Sequence, residues 1–325
     1  MKSVLISSIF DNQIMVKTFN ENFEVENFQE KTVLINNKLQ KGVIKEISLN
    51  GIRILMQDLK TNDYSMQVYH NFPFFKLQFE IEGSSLYTPS NKLSREVYIP
   101  GGHYNLFYLP EVKGKLQYKT NYRKTLEILF TEDYIKKIIG SDFKNDLINF
   151  GEAIAIKKPF LLWNHSKPIS EFLYGYINQI INCEYTGNIK KAFLEAKINE
   201  LLIVLLAKTN TKELDLPKQD YLIILKVEDY IKNNLKNKLT ISKLAAVAGL
   251  NTTKLKQNFK QVFGTTIFKY ITQLRMEKAK RLVLEKNYSI TQASYEVGYK
   301  NPQHFTKAFK KKYHYLPSSL KQNKW

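Results

Sequence analysis

Two sets of side chains fit for hydrogen bonding to base-pair edges recur in the last third of the chain. Thr253, Lys256, Gln257 and Lys260 stand at helical spacing in the first set, and Gln303, Thr306, Lys307 and Lys310 in the second, with His304 at its edge. Gln pairs bidentately with adenine, Lys reaches guanine O6 and N7, and Thr presents a hydroxyl and a methyl group. Each set lies opposite an apolar pair at i, i+4, Leu255 with Phe259 and Phe305 with Phe309, so a helix that buries the pair turns the polar face outward. Side-chain types alone leave open an ordinary helical bundle that meets no nucleic acid.

The elements that must position these faces are written as an internal repeat. Laying 241–264 over 290–314 places Ile241, Gly249 and Leu250 on Ile290, Gly298 and Tyr299 at an offset of 49. Leu255, Phe259 and Phe263 then fall on Phe305, Phe309 and Tyr313 at an offset of 50, one residue being inserted in the second turn. Each copy reads as a short helix, a turn with a glycine free to take positive φ, and a second helix docked on the first. Between the copies, TIFKYITQLRMEKAKRLVLEK carries Ile267, Ile271, Leu274, Ala279, Leu282 and Val283, the pattern of one long helix. At 1.5 Å per residue it spans about 30 Å, near the roughly 34 Å of one duplex turn, so two recognition helices can enter successive major grooves. Charge agrees with that partner. Of a formal charge of +19, residues 221–325 hold 21 Lys and Arg against 5 Asp and Glu, and such a stripe compensates phosphate and releases counterions.

LAAVAGLNTTKLKQNFKQVFGTTIFKYITQLRMEKAKRLV and SITQASYEVGYKNPQHFTKAFKKKYHYLP resemble the C-terminal domain of the AraC/XylS family, over about 222–321. The resemblance implies base-contacting positions at Thr253, Lys256, Gln257, Gln303, His304, Thr306 and Lys307. It departs at His314, where the family favours glycine, and at Leu320 and Lys321, where it favours an aromatic residue and an arginine.

The remainder, 1–208, reads as a separate domain, joined through a polar linker at 209–220 to a DNA-binding domain at 221–325. From about 42 to 130 apolar residues alternate between turn residues, so this part reads as an antiparallel sandwich or small barrel, with an arm or edge strands from 1–40. Helices follow over about 131–208. In the last of them Leu194, Ile198, Leu201, Leu202 and Leu205 form a stripe that packs on the sheets or on a second subunit; both remain open. The family resemblance implies a cupin-like barrel followed by a helical hairpin, hence an α+β chain with an all-α double helix-turn-helix end. FPFFKLQFEIEGSS and GGHYNLFYLPEVKG are similar to the PchR-type domain, some of whose members respond to siderophores.

Phe75, Phe79, His103, Tyr104 and Phe107 are the candidates for an effector pocket, with core packing as the competing role. His70, His103 and His165 form no H-x-H pair, so a metal-dependent cupin enzyme is not expected, and neither is a cofactor. Cys183 is the single cysteine, the first residues do not read as a secretory signal, and no apolar run reaches a membrane span, which together suit a bacterial cytoplasmic, nucleoid-associated protein. The expected function is a sequence-specific transcription regulator, an effector-responsive activator working with RNA polymerase as a possible homodimer. An architectural DNA binder without an effector is the alternative.

Overall fold

The hairpin signals of the N-terminal part become strands at close to the expected places, because alternating residues bury one side and turn residues end each run. A computed structural model describes residues 1–7, 13–20, 23–25, 28–37, 39–91, 95–139, 148–207 and 216–322. The chain divides into two compact units, Met1–Glu213 and Leu214–Trp325. Residues 209–215 of the expected linker lie outside the described residues.

The strands of the first unit are β1 (Lys2–Ser7), β2 (Ile14–Thr18), β3 (Gln29–Asn36), β4 (Gln40–Leu49), β5 (Ile52–Thr61), β6 (Tyr64–His70) and β7 (Phe74–Glu82). They continue as β8 (Ser85–Pro89), β9 (Val97–Ile99), β10 (His103–Leu109), β11 (Val112–Tyr118), β12 (Tyr122–Phe130), β13 (Phe160–Leu161) and β14 (Lys167–Pro168). Its helices are α1 (Glu132–Ile139), α2 (Ile148–Ala155), α3 (Glu171–Ile181) and α4 (Gly187–Ala207). Helix α2 lies within the expected helical region but carries no separate signal of its own.

The strands form a six-stranded sheet in the order β2-β1-β6-β11-β8-β9 and an eight-stranded one whose path runs β13-β10-β7-β12-β5-β4-β3, with β14 beside β10. The expected barrel is therefore corrected to a sandwich of two open sheets. The reason is visible in β7 and β10: the larger sheet is covered on both faces, so its central strands are nearly continuous buried runs, HYNLFYL in β10 being buried throughout. On one face Phe74, Phe107 and Leu109 meet Val68, Val97 and Val112 of the smaller sheet. On the other, Phe75, Leu77, Phe79, Leu126 and Ile128 meet Phe150, Leu173, Ile177 and the α4 stripe. Before β4, the chain adds β1 and β2 to the smaller sheet and β3 to the edge of the larger one.

Between the sheets lies a buried charge cluster. Arg123 on β12, 1% exposed, donates from Nη2 to Glu80 Oε1 at 3.1 Å and Glu127 Oε1 at 2.9 Å, and lies 3.9 Å from the centre of the Tyr118 ring. Lys76 closes the cluster on Glu127. Four charges can sit in this interior only because each is paired.

The second unit contains α5 (Lys218–Asn233), α6 (Ile241–Ala248), α7 (Thr252–Phe263), α8 (Ile267–Glu285), α9 (Ile290–Glu296), α10 (Pro302–Tyr313) and α11 (Ser319–Gln322). It has two small cores. Ile224, Ile231, Leu244, Leu255 and Phe259 form one with Ile267 and Ile271 of α8, while Ala293, Val297, Phe305, Phe309 and Leu320 form the other with Met276, Ala279, Leu282 and Val283 of the same helix.

Candidate nucleic-acid interface

Each recognition helix starts at an asparagine whose side chain satisfies a backbone amide otherwise left without a partner. Asn251 accepts from the Lys254 amide at 2.8 Å to open α7, and Asn301 accepts from the Gln303 amide at 2.8 Å to open α10, where Pro302 occupies the first turn. The preceding helices are capped in the same way by Thr240 and Ser289, the latter in a full capping box with Gln292. Capped starts fix where each helix begins, and so which side chains point away from the core.

Leu255, Phe259 and Phe263 bury one face of α7, and Phe305 and Phe309 bury one face of α10. The opposite faces are open. Thr253, Lys256, Gln257 and Lys260 are exposed on α7, and Gln303, His304, Lys307 and Lys310 on α10. Thr306 is half-buried, with its hydroxyl donating back to the Pro302 carbonyl at 3.0 Å. All nine sequence candidates thus fall on two outward faces, Thr306 being the least accessible.

Four of the described acids of this unit are taken up in ion pairs. Asp220 pairs with Lys254 at 3.0 Å, Glu277 with Lys312 at 2.8 Å, Glu296 with Lys236 at 2.9 Å, and buried Glu228 with Lys232 at 2.8 Å. Among the described residues, Lys256, Lys260, Lys307 and Lys310 have no carboxylate in ion-pair range, which leaves their charge for phosphate or base edges. Sequence reasoning missed Asp220, which also accepts from Asn258 at 3.3 Å and so ties α5 to the back of α7. It missed Arg275 too. From α8 that side chain donates to the carbonyls of Leu235 and Asn237, each at 3.0 Å, and burial lowers its pKa.

The matching turns differ in detail. Gly249 takes φ 62° with open space where a Cβ would stand, whereas at Gly298, φ 87°, a Cβ would lie 2.6 Å from the Leu235 carbonyl oxygen. At the ends of the recognition helices Gly264 and His314 adopt the same left-handed cap, φ 68° and 63°, so the histidine holds a conformation that favours glycine. Leu320 is buried in the second core despite replacing an aromatic residue.

The other sequence candidates lie in the first unit. Leu194, Ile198, Leu201, Leu202 and Leu205 are each 0% exposed within it, so the stripe is used inside the subunit and the reading of it as a dimer surface is corrected. The effector candidates are split by the two-residue period of the strands. Phe75, Phe79 and Tyr104 face the helices, with Phe79 stacked on Tyr104 at 5.2 Å and Tyr104 against Trp163. His103 is fully buried, its Nδ1 3.0 Å from the Gly101 carbonyl oxygen. Of the five, Phe107 lines a cavity of about 50 Å³, which lies between the sheets and is also lined by His70, Lys76, Gln78, Ser85 and Tyr87. The pKa of His70 is pushed down to about 4, by burial first and then by Lys76 and Arg53, so its ring is neutral at physiological pH.

Two family models match separate stretches of the chain. Residues 45–217 match the family described as the regulatory protein PchR N-terminal domain, and 244–323 match a helix-turn-helix domain. An uncharacterised HTH-type transcriptional regulator from the cgkA 5' region of Pseudoalteromonas carrageenovora is 37% identical over 93 residues, 29% of this chain and 55% of that protein. The bifunctional transcriptional activator/DNA repair enzyme AdaA of Bacillus subtilis is 31% identical over 96 residues, 30% of this chain and 46% of that protein. The chain thus spans about half the length of these relatives. Among solved structures, ToxT of Vibrio cholerae aligns at TM-score 0.31 and 14% identity over 83% of this chain and 97% of that one. An AraC-type regulator from Chromobacterium violaceum aligns at TM-score 0.30 and 22% identity over 31% of this chain and 91% of that one.

Proposed function

The chain belongs to the family of regulators with a PchR-type N-terminal domain, and from that premise we propose that it is a transcription activator which reads two successive major grooves of one duplex. The carrying observation is the pair of capped recognition helices whose outward faces carry Thr, Gln and His beside Lys256, Lys260, Lys307 and Lys310, lysines with no ion pair among the described residues. Thr253, Lys256, Gln257 and Lys260 contact one half-site, and Gln303, His304, Thr306, Lys307 and Lys310 the other. Helix α8, 19 residues and so about 28 Å long, suits the rise of one duplex turn.

The reading extends to RNA polymerase, a small-molecule effector and a second copy of the chain as partners, in the bacterial cytoplasm on the nucleoid, with no catalytic step. No helix among the described residues is long and apolar enough to cross a membrane. The effector site we favour is the cavity beside Phe107 and His70. At about 50 Å³ it lies well below the roughly 300–1,000 Å³ of ordinary ligand pockets, so an effector of siderophore size enters only if the two sheets part.

The test is genome-wide mapping of binding sites followed by footprinting. A few strongly protected sites, each with two halves about one turn apart, are expected. Dense coverage without preference replaces the reading with an architectural role.

A further inference from the structure

The two helix-turn-helix pairs share α8 but take different sides of it. Ile267, Ile271 and Leu274 turn toward the first core, and Met276, Ala279, Leu282 and Val283 toward the second. At 3.6 residues per turn these two faces are about 120° apart, and position 275 projects between them. Arg275 therefore stands where one core hands over to the other.

Its contacts join the two sides. Arg275 donates from Nε to the Leu235 carbonyl and from Nη2 to the Asn237 carbonyl, each at 3.0 Å, holding the turn that links α5 to α6 in the first pair. The same guanidinium lies 5.7 Å from the centre of the Tyr299 ring, in the turn of the second pair. Gly298 beside it lets that turn come down on the first pair, since a Cβ there would stand 2.6 Å from the Leu235 oxygen, 2.7 Å from the Lys236 oxygen and 2.9 Å from Arg275 Nη2. The ion pair Lys236–Glu296, at 2.9 Å, spans the same junction.

We propose that Arg275 is a positioning residue, which fixes the rotation of the second helix pair about α8 and so sets the base-pair spacing between half-sites that the protein accepts. This rests on the reading that both recognition helices occupy one duplex. Inserting one base pair rotates the far half-site by about 35° and moves it about 3.4 Å, a displacement that a locked junction does not follow. The planar fork of arginine suits the lock because it meets two carbonyls and a ring at once; lysine has no such fork.

The experiment uses the full chain and a duplex it selects from a randomised library, remade with one base pair added or removed between the halves. For the wild type, either change is expected to weaken binding on the order of 10- to 100-fold, the loss of one half-site's specific contacts. For Arg275→Gln the same change is expected to weaken binding within about three-fold, while affinity for each isolated half-site stays at the wild-type value. A variant that only loosened the fold would weaken the half-sites as well. Tyr299→Leu, which removes the ring on the other side of the junction and leaves the turn backbone intact, is the second variant and is expected to relax spacing in the same direction. Wild-type strictness in both variants overturns the inference, as does a wild type indifferent to spacing. Selection of no sequence at all overturns the functional reading beneath it.

Discussion

Replacing Gly249 and Gly298 by alanine separates two reasons for a glycine in a helix-helix turn. The residues occupy equivalent places in the repeat and both take positive φ, 62° and 87°. An alanine at Gly249 meets no atom within 4 Å, so the left-handed backbone alone opposes it, at about 1 kcal/mol. An alanine at Gly298 bears the same conformational term and also drives a Cβ to 2.6 and 2.7 Å from two backbone oxygens, which cannot swing aside as a side chain does. The forced displacement adds about 1–3 kcal/mol, for a total of about 2–4. Hydrogen exchange read by mass spectrometry on the full chain reports each helix pair separately. Gly249→Ala is expected to speed exchange of α6 and α7 amides about 5-fold, and Gly298→Ala to speed that of α9 and α10 about 30- to 1,000-fold. Equal effects at the two sites would refute the close-approach argument and leave φ as the only cause.

Gln303→Ala or Lys256→Ala should weaken binding to the selected site by about 1–3 kcal/mol and to random DNA much less; equal losses on both would show that the face is wrongly assigned. His314→Gly should stabilise the second pair by about 1 kcal/mol, read by slower exchange in α10, because it relieves a left-handed histidine. Arg123→Met should destabilise the first unit by about 3–5 kcal/mol by stranding Glu80, Glu127 keeping Lys76, with part recovered when Glu80→Gln is added; urea unfolding followed by Trp163 fluorescence in a Trp325→Phe background measures both. Burial acts to raise Glu46, but Lys17, Arg53 and Lys31 overcome it and hold its pKa below the usual carboxylate value. Its contribution to stability is therefore complete above the unfolded pKa, about 4.3, and is lost as pH falls through the depressed folded value. The same unfolding assay should show a fall on the acid side that Arg53→Met makes shallower.

The C-terminal unit was legible because its information is local and periodic. Leu255, Phe259 and their counterparts Phe305 and Phe309 define a buried face, and a 3.6-residue period then fixes the opposite one. Asp220 and Arg275 escaped because their partners lie 34 to 40 residues away, with no period linking them. In the N-terminal unit the strands were legible from alternation and turn residues. What each strand face meets was not, since β10 carries large apolar residues on both sides; Tyr104 and Phe107 look alike in the sequence yet face different layers. The α4 stripe was likewise visible as a stripe, but its occupant depended on the distant β-strands that cover it.

The outward residues of α7 and α10 carry almost none of the packing that keeps those helices in place, Thr306 with its bond to Pro302 being the partial exception. On the proposed reading, operator preference and folding are therefore governed by separate sets of positions. A lineage can exchange Gln for Lys or Thr along either face, and so drift from one target promoter to another, without passing through an unstable intermediate. Change at Phe259 or Phe309 has no such freedom, because each is buried at the centre of a small core.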